Sequence, residues 1–148
     1  MIEYRRASNS HDYKLCHQLM RQENIPEDKL GFPTMMAFEN NELIGICATT
    51  IKNDMIIAGP LTLRSDRRRA FTALELCVKY EEDLKSLGIV SYIFSAEYGG
   101  IMQKAIDRYM HGMKPYADDG KHKFYIRRLD TDQSISLKPT GEHNGQQG

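Results

Sequence analysis

Residues 55–76 read MIIAGPLTLRSDRRRAFTALEL, and this stretch joins a predicted strand to a predicted helix through a basic turn. The turn contains three consecutive arginines, Arg67, Arg68 and Arg69. Because the first turn of a helix exposes unpaired N–H groups and the positive end of the helix dipole, each cation there costs about 0.3–1 kcal/mol. The run is therefore either a solvated basic turn or a site that binds an anion such as phosphate.

Gly59 and Pro60 interrupt the strand that leads into this turn. Proline has no N–H to donate to a β ladder, so in sheets it is confined to edges, strand starts and bulges. The pair therefore predicts a bulge, an edge, or a strand that separates from its neighbour.

The segments on either side predict an alternation of strands and helices. Period-2 and continuous apolar runs favour strands, and one-face apolar repeats favour helices. The uninterrupted apolar run at 89–96 is typical of a central strand that is buried on both faces. The predicted strands are 2–7, 34–39, 42–52, 55–63 and 89–96, a hairpin follows at 113–129, and the helices start near Asn9, Asp66 and Gly100.

The size and charge of the chain restrict its function. Its 148 residues predict one folded domain at 1–129, followed by a polar, disordered tail at 130–148. Twenty basic and twenty acidic residues cancel, so no overall field attracts nucleic acid or an anionic membrane. No segment approaches the roughly 18 apolar residues of a membrane span. The sequence therefore predicts a cytoplasmic protein, and nucleic-acid binding through the arginine run is disfavoured.

No metal site or disulfide framework is expected. The cysteines Cys16, Cys47 and Cys77 are far apart and form no Cys-x-x-Cys pair. The histidines outside the last helix also lack metal-ligand spacing, and we expect them at the surface. They are His11, His17, His122 and His143.

The order of elements over Ile2–Leu129 resembles the GNAT superfamily of acyl-CoA-dependent N-acetyltransferases. The resemblance implies an α/β (α+β) fold. Its sheet would be mixed, mostly antiparallel and twisted, with about seven strands and three to four helices on both faces. A central parallel strand pair would be splayed at a bulge, which is the role that the family resemblance implies for Gly59–Pro60.

In that superfamily the turn after the fourth strand carries the pattern Gln/Arg-x-x-Gly-x-Gly/Ala, which binds the pyrophosphate of coenzyme A. The pattern falls on 67–72, where Ala70 and Thr72 replace the glycines. Their side chains hinder close approach of the backbone, and the extra arginines are candidates to compensate. The resemblance implies that acetyl-CoA is the cosubstrate and that its binding residues are Leu61, Leu63, Arg67, Arg68, Arg69, Ala70, Phe71 and Thr72, with 94–96 lining the other arm of the splay.

Two catalytic candidates follow from the same resemblance. Tyr109 matches the tyrosine that protonates the departing thiolate, although it lies one residue closer to Gly112 than is usual and Met113 replaces a phenylalanine. Glu97, just past the fifth strand, is the best-placed base for the acceptor amine, and His111 is a weaker one. The alternatives are that Tyr109 is a core tyrosine and that Glu97 is a capping or surface acid.

The first hypothesis is therefore an N-acetyltransferase that transfers acetyl to an unidentified amine by direct attack in a ternary complex. The acceptor would be selected by the loop 24–33 and the terminal hairpin. The alternative, motivated by the missing glycines, is a catalytically inactive module of the GNAT fold. Such a module resembles bacteriophage-encoded members and would act as a homo-oligomer or a virion assembly partner, in the host cytoplasm or the virion.

Overall fold

The computed structural model describes residues 1–26, 30–67, 70–109 and 113–130. Arg68, Arg69, His111, Gly112 and the predicted tail beyond Asp130 lie outside the described residues. The helices are α1 (Ser10–Gln22), α2 (Ala70–Ser86) and α3 (Ile101–Tyr109). The strands are β1 (Ile2–Arg6), β2 (Met35–Glu39), β3 (Glu42–Lys52), β4 (Met55–Leu63), β5 (Ser91–Glu97), β6 (Ala117–Asp118) and β7 (His122–Arg128).

The strands form one seven-stranded sheet in the order β1-β2-β3-β4-β5-β7-β6. Every pairing is antiparallel except that of β4 with β5, which are connected through α2. Helix α1 packs on one face of the sheet, and α2 and α3 pack on the other. The predicted fold class is confirmed, with three helices in the described part of the chain.

Each face of the sheet has its own apolar core. Beneath α1, Leu19 and Met20 pack against Ile46 of β3. On the opposite face, Leu74 and Tyr80 of α2 belong to a larger cluster with β5 and β7. No helix within the described ranges is long and apolar enough to span a membrane.

The pair Gly59–Pro60 breaks the regular register of β4. Cys47 pairs with Leu61 and Thr49 with Ala58, so two residues of β4 lie opposite one residue of β3. The parallel ladder to β5 contains only the pairs Ile57–Ile93 and Ala58–Phe94, and it ends where the bulge begins. The predicted bulge and the splayed parallel pair are therefore confirmed.

Two local predictions were wrong. Residues of β5 alternate between buried and more exposed, with Tyr92 and Phe94 buried and Ser95 exposed. The strand is not buried on both faces, because α2 and α3 cover one face while α1 packs against β3. The helix predicted from Asp66 instead begins at Ala70, after a short 3-10 turn at Ser65–Arg67.

A buried ion pair fixes α2 to β7. The side chains of Glu81 and Arg127 are only 6% and 5% exposed, and Arg127 Nε lies 2.6 Å from Glu81 Oε2. Tyr92 of β5 donates its hydroxyl proton to the same oxygen at 2.6 Å. The three groups thus join one helix and two neighbouring strands behind the splayed end of β4.

We expect Arg127→Met to lower the free energy of unfolding by about 3–5 kcal/mol, because it leaves the Glu81 carboxylate buried without its guanidinium partner. Chemical denaturation measures this loss. The double variant Arg127→Met/Glu81→Gln should lose less, since a neutral amide can still accept from Tyr92. Arg128→Met, at a side chain that is 66% exposed, is the control and should change the value by less than about 0.5 kcal/mol. An Arg127 variant as stable as this control would contradict the assignment.

Candidate functional site

A cleft of about 410 Å³ lies where β4 and β5 diverge. Beyond the last parallel pair, Ala58–Phe94, β4 continues with β3 as its partner and β5 continues with β7. The space between them is therefore bounded on both sides by strand backbone. The cleft is lined by Ile25, Cys47, Ala58, Gly59, Pro60, Leu61, Thr62, Leu63, Cys77, Tyr80, Tyr92, Phe94, Ser95, Glu97, Gly100, Ile101, Met102 and His122.

The inner wall of the cleft is mostly apolar and contains a buried hydroxyl pair. Thr49 donates to the carbonyl of Pro33 at 2.6 Å, so the Tyr80 hydroxyl, 2.5 Å away, must donate to Thr49 Oγ1. Burial raises the pKa of Tyr80, which keeps that hydroxyl protonated.

Two thiols, Cys47 and Cys77, lie in the same wall. A hydrogen bond with the Cys77 thiol, together with burial, raises the pKa of Cys47 well above its usual range. Because the thiolate is the nucleophilic form of cysteine, this shift favours the protonated, less nucleophilic form of Cys47. The inner wall therefore presents an apolar surface with neutral polar groups.

Thr62 of β4 carries a polar atom that lacks a partner. The residue lines the cleft and is only 3% exposed, and Oγ1 has no hydrogen-bond partner among the described residues. A buried hydroxyl without a partner costs about 1–3 kcal/mol. At a cleft, a bound ligand can supply the missing partner of such a hydroxyl.

The mouth of the cleft holds two groups capable of proton transfer. Glu97 ends β5, His122 begins β7, and the two residues are direct cross-strand partners. The side chain of His122, which the sequence predicts at the surface, is 39% exposed, and the residue lines the cleft. Sequence spacing does not reveal this pairing, because it arises from the register of β5 with β7.

Arg64 and Arg67, the two arginines of the basic turn that the structure describes, are paired with neighbouring carboxylates. Arg64 pairs with Glu42 at 2.9 Å and with Asp66 at 2.8 Å. Arg67 pairs with Glu39 at 2.7 Å and with Asp66 at 3.1 Å. Within the described part of the junction, three carboxylates thus face two guanidinium groups. An anion that binds there must compete with these internal partners.

The remaining predicted residues lie apart from the cleft. Arg67 and Thr72 line a second cavity of about 380 Å³, and Phe71 and Thr72 line a third. Ala70 is the first residue of α2. Tyr109 is 6% exposed, and its ring packs edge-on against Phe71 at 6.0 Å, so it does not belong to the lining of the cleft. The cleft brings together Leu61, Leu63 and Glu97.

Several solved structures similar to this chain are described as acetyltransferases. PaiA N-acetyltransferase from Thermoplasma acidophilum, in complex with coenzyme A, gives a TM-score of 0.62 at 14% identity, covering 86% of this chain and 99% of that chain. The chain has the GNAT fold. A GNAT-family acetyltransferase from Staphylococcus aureus gives 0.59 at 16% identity, covering 87% and 99%. ElaA from Escherichia coli gives 0.59 at 16% identity, covering 86% and 99%. No protein-family model and no curated protein matches the sequence.

The structure adds residues to the candidate site that sequence reasoning missed. Tyr80 and Cys77 were predicted only as residues of a helix, and Cys47 and Thr62 only as residues of strands. Their signal in the sequence is the ordinary apolar pattern of a core, which does not distinguish a cleft wall from a packed interior. Within the described ranges, no group of three or more His, Cys, Asp or Glu side chains is arranged to hold a metal ion.

We expect Thr62→Val to raise the free energy of unfolding of the ligand-free protein by about 1 kcal/mol, because it removes a buried hydroxyl that has no partner. Thr49→Val is the matched control. Its hydroxyl is equally buried but bonded to Pro33 and Tyr80, so the same change should be destabilising by about 1–3 kcal/mol. Chemical denaturation of the two variants measures the contrast. Equal destabilisation by both would show that Thr62 is satisfied.

Proposed function

We propose that the chain is an acyl-CoA-dependent N-acetyltransferase that binds acetyl-CoA in the cleft between β4 and β5. The observation that carries the proposal is the cleft itself, which opens where the β4–β5 ladder ends. In the proposed complex, acetyl is transferred to an amine by direct attack while both substrates are bound. The catalytic domain would span 1–129, as the sequence predicts.

The strand edges support binding of the pantetheine arm. This arm contains two amides, and an amide can hydrogen-bond to a strand edge as another strand does. Leu61 of β4 pairs with Cys47 on one side, and Ser95 of β5 pairs with Phe124 on one side. On the other side of each strand, the edge of β4 at Leu61 and the edge of β5 at Ser95 face the cleft. The Thr62 hydroxyl offers one further polar contact to the same arm.

Binding of the cofactor's pyrophosphate is less favoured by the structure than binding of its pantetheine arm. Arg67 ends the 3-10 turn that precedes α2, whose N-terminal N–H groups and dipole attract anions. Its guanidinium is bound by Glu39 and Asp66 in the ligand-free protein. Binding of a pyrophosphate would therefore exchange a carboxylate for a phosphate at Arg67. This exchange reduces the net contribution of Arg67 to the affinity for pyrophosphate but does not remove it.

The chemistry needs a neutral amine and a protonated leaving group. Glu97 lines the cleft mouth and is the carboxylate placed to receive a proton from the acceptor, directly or through water. Tyr109 stays the predicted acid for the thiolate, although its ring lies in the core against Phe71. Ile25, within the loop 24–33 that we predict to select the acceptor, lines the cleft.

Isothermal titration with acetyl-CoA tests the proposal. We expect saturable binding to the wild-type chain and about five- to ten-fold weaker binding to Thr62→Val, since that variant loses one neutral hydrogen bond to the ligand. Ser91→Ala, at the exposed start of β5 and outside the cleft lining, is the control and should bind as the wild type does. Absence of binding at millimolar acetyl-CoA would overturn the proposal and would favour the inactive assembly module, whose oligomeric state could then be measured.

We expect Arg67→Ala, alone or with Arg68→Ala, to weaken coenzyme A binding by roughly ten-fold, because a charge-assisted hydrogen bond to phosphate is lost. Binding of pantetheine, which lacks the diphosphate, should be unchanged. Glu39→Gln is the matched opposite, since it removes the carboxylate that competes for Arg67, and it should tighten coenzyme A binding. Titration of each variant with both ligands measures the differences. Unchanged coenzyme A affinity in the arginine variants would remove the basic turn from the site.

A further inference from the structure

Glu97 and His122 form a side-by-side pair at the mouth of the cleft. The N–H of Tyr98 donates to the carbonyl of Lys121 at 3.0 Å, so these two residues form a hydrogen-bonded pair of the antiparallel ladder. The neighbouring pair, Glu97 with His122, is therefore of the non-hydrogen-bonded type. In such pairs the Cα atoms are about 4.5 Å apart and the side chains lie closest together.

A tight turn fixes the backbone of His122. Asp119 Oδ1 accepts from the N–H of Lys121 at 2.9 Å and from the N–H of His122 at 2.7 Å. The N–H of Asp119 in turn donates to the carbonyl of His122 at 3.1 Å. These bonds, first that from Lys121 and then that from His122, hold the pKa of Asp119 below its ordinary value. Asp119 is therefore ionised beside the ring.

One ring nitrogen of His122 lies near a carboxylate. Nδ1 lies 3.9 Å from Asp119 Oδ1, which is beyond a hydrogen bond but within ion-pair distance. Nε2 lies across the ring from Nδ1, and the residue lines the cleft. A carboxylate behind one nitrogen, with the other nitrogen directed at the substrate, is the arrangement in which histidine acts as a base.

We propose that His122 is a catalytic residue that accepts the proton of the acceptor amine, while the Glu97 carboxylate holds the amine as an ammonium ion beside it. This inference rests on the proposed function and moves the proton-accepting role from Glu97 to His122, which leaves Glu97 to hold the amine. Imidazole suits the proton-accepting role because it both gains and loses a proton near neutral pH.

The acceptor amine loses two protons during the reaction. The ammonium ion gives one proton to His122 Nε2, and the neutral nitrogen attacks the thioester carbonyl carbon. The C–N bond forms, the C–S bond breaks, and its electron pair leaves with the sulfur. The nitrogen loses a second proton as the amide forms. One of the two protons ends on the sulfur of coenzyme A and the other passes through His122 to solvent.

Bromoacetyl-CoA tests the position of Nε2 without knowledge of the acceptor. Its electrophilic carbon is carried by the same thioester as the acetyl group. Nε2 would displace bromide, forming a C–N bond while the C–Br electron pair leaves with the halide, and the imidazole proton passes to solvent. We expect stoichiometric labelling of His122 in the full chain, detected by peptide mass spectrometry and suppressed by excess coenzyme A.

Variants of two histidines test whether the label is on His122. His122→Gln should lower labelling by roughly ten-fold or more, whereas His11→Gln, on exposed α1, should leave it unchanged. Labelling of Cys47 or Cys77 instead would place the reactive carbon at the inner wall and overturn the inference. So would saturable binding of coenzyme A without any label on His122. If coenzyme A does not bind at all, the proposed function itself fails, which titration distinguishes from the preceding result.

Discussion

The structure depends on a proline in a strand that would otherwise pair on both sides. Pro60 has no N–H, so β4 cannot continue a regular ladder through it, and the bulge at Gly59–Pro60 absorbs one extra residue against β3. The parallel pairing with β5 ends at Ala58–Phe94, directly before that point. The bulge thus opens a cleft near the centre of an otherwise continuous sheet. The buried pair Glu81–Arg127 stabilises the far side of the opening, where α2 meets β7.

Most of the fold was predictable from local pattern because strands and helices have different periods. The bounds of β3 and β4 agree with the prediction, and β2 differs by one residue at its start. The errors have physical causes. An apolar run such as that of β5 indicates burial but not which faces are covered, since this depends on where α1 packs. The start of α2 was misplaced because Asp66 suits both a helix and the 3-10 turn that precedes it.

The candidate site was less predictable, because its charges and partners come from distant parts of the chain. The arginine run looks like an excess of cations when only 64–69 is considered. Glu39 and Glu42, from the turn between β2 and β3, balance Arg67 and Arg64 in space. A pattern in sequence therefore indicates where positive charge lies but not whether it is available. Leu61, Leu63 and Glu97 were placed at the cleft by the resemblance, and their roles stay predictions.

The terminal hairpin shows how one local structure can serve both folding and chemistry. Asp119 closes the turn by accepting two backbone N–H groups, which sets the register of β7 against β5. A shift of that register by one residue would turn His122 to the opposite face, because side chains alternate along a strand. The same carboxylate lies beside Nδ1. The position of the imidazole at the cleft therefore follows from the geometry that ends the sheet, and no helix or separate loop is needed to place it.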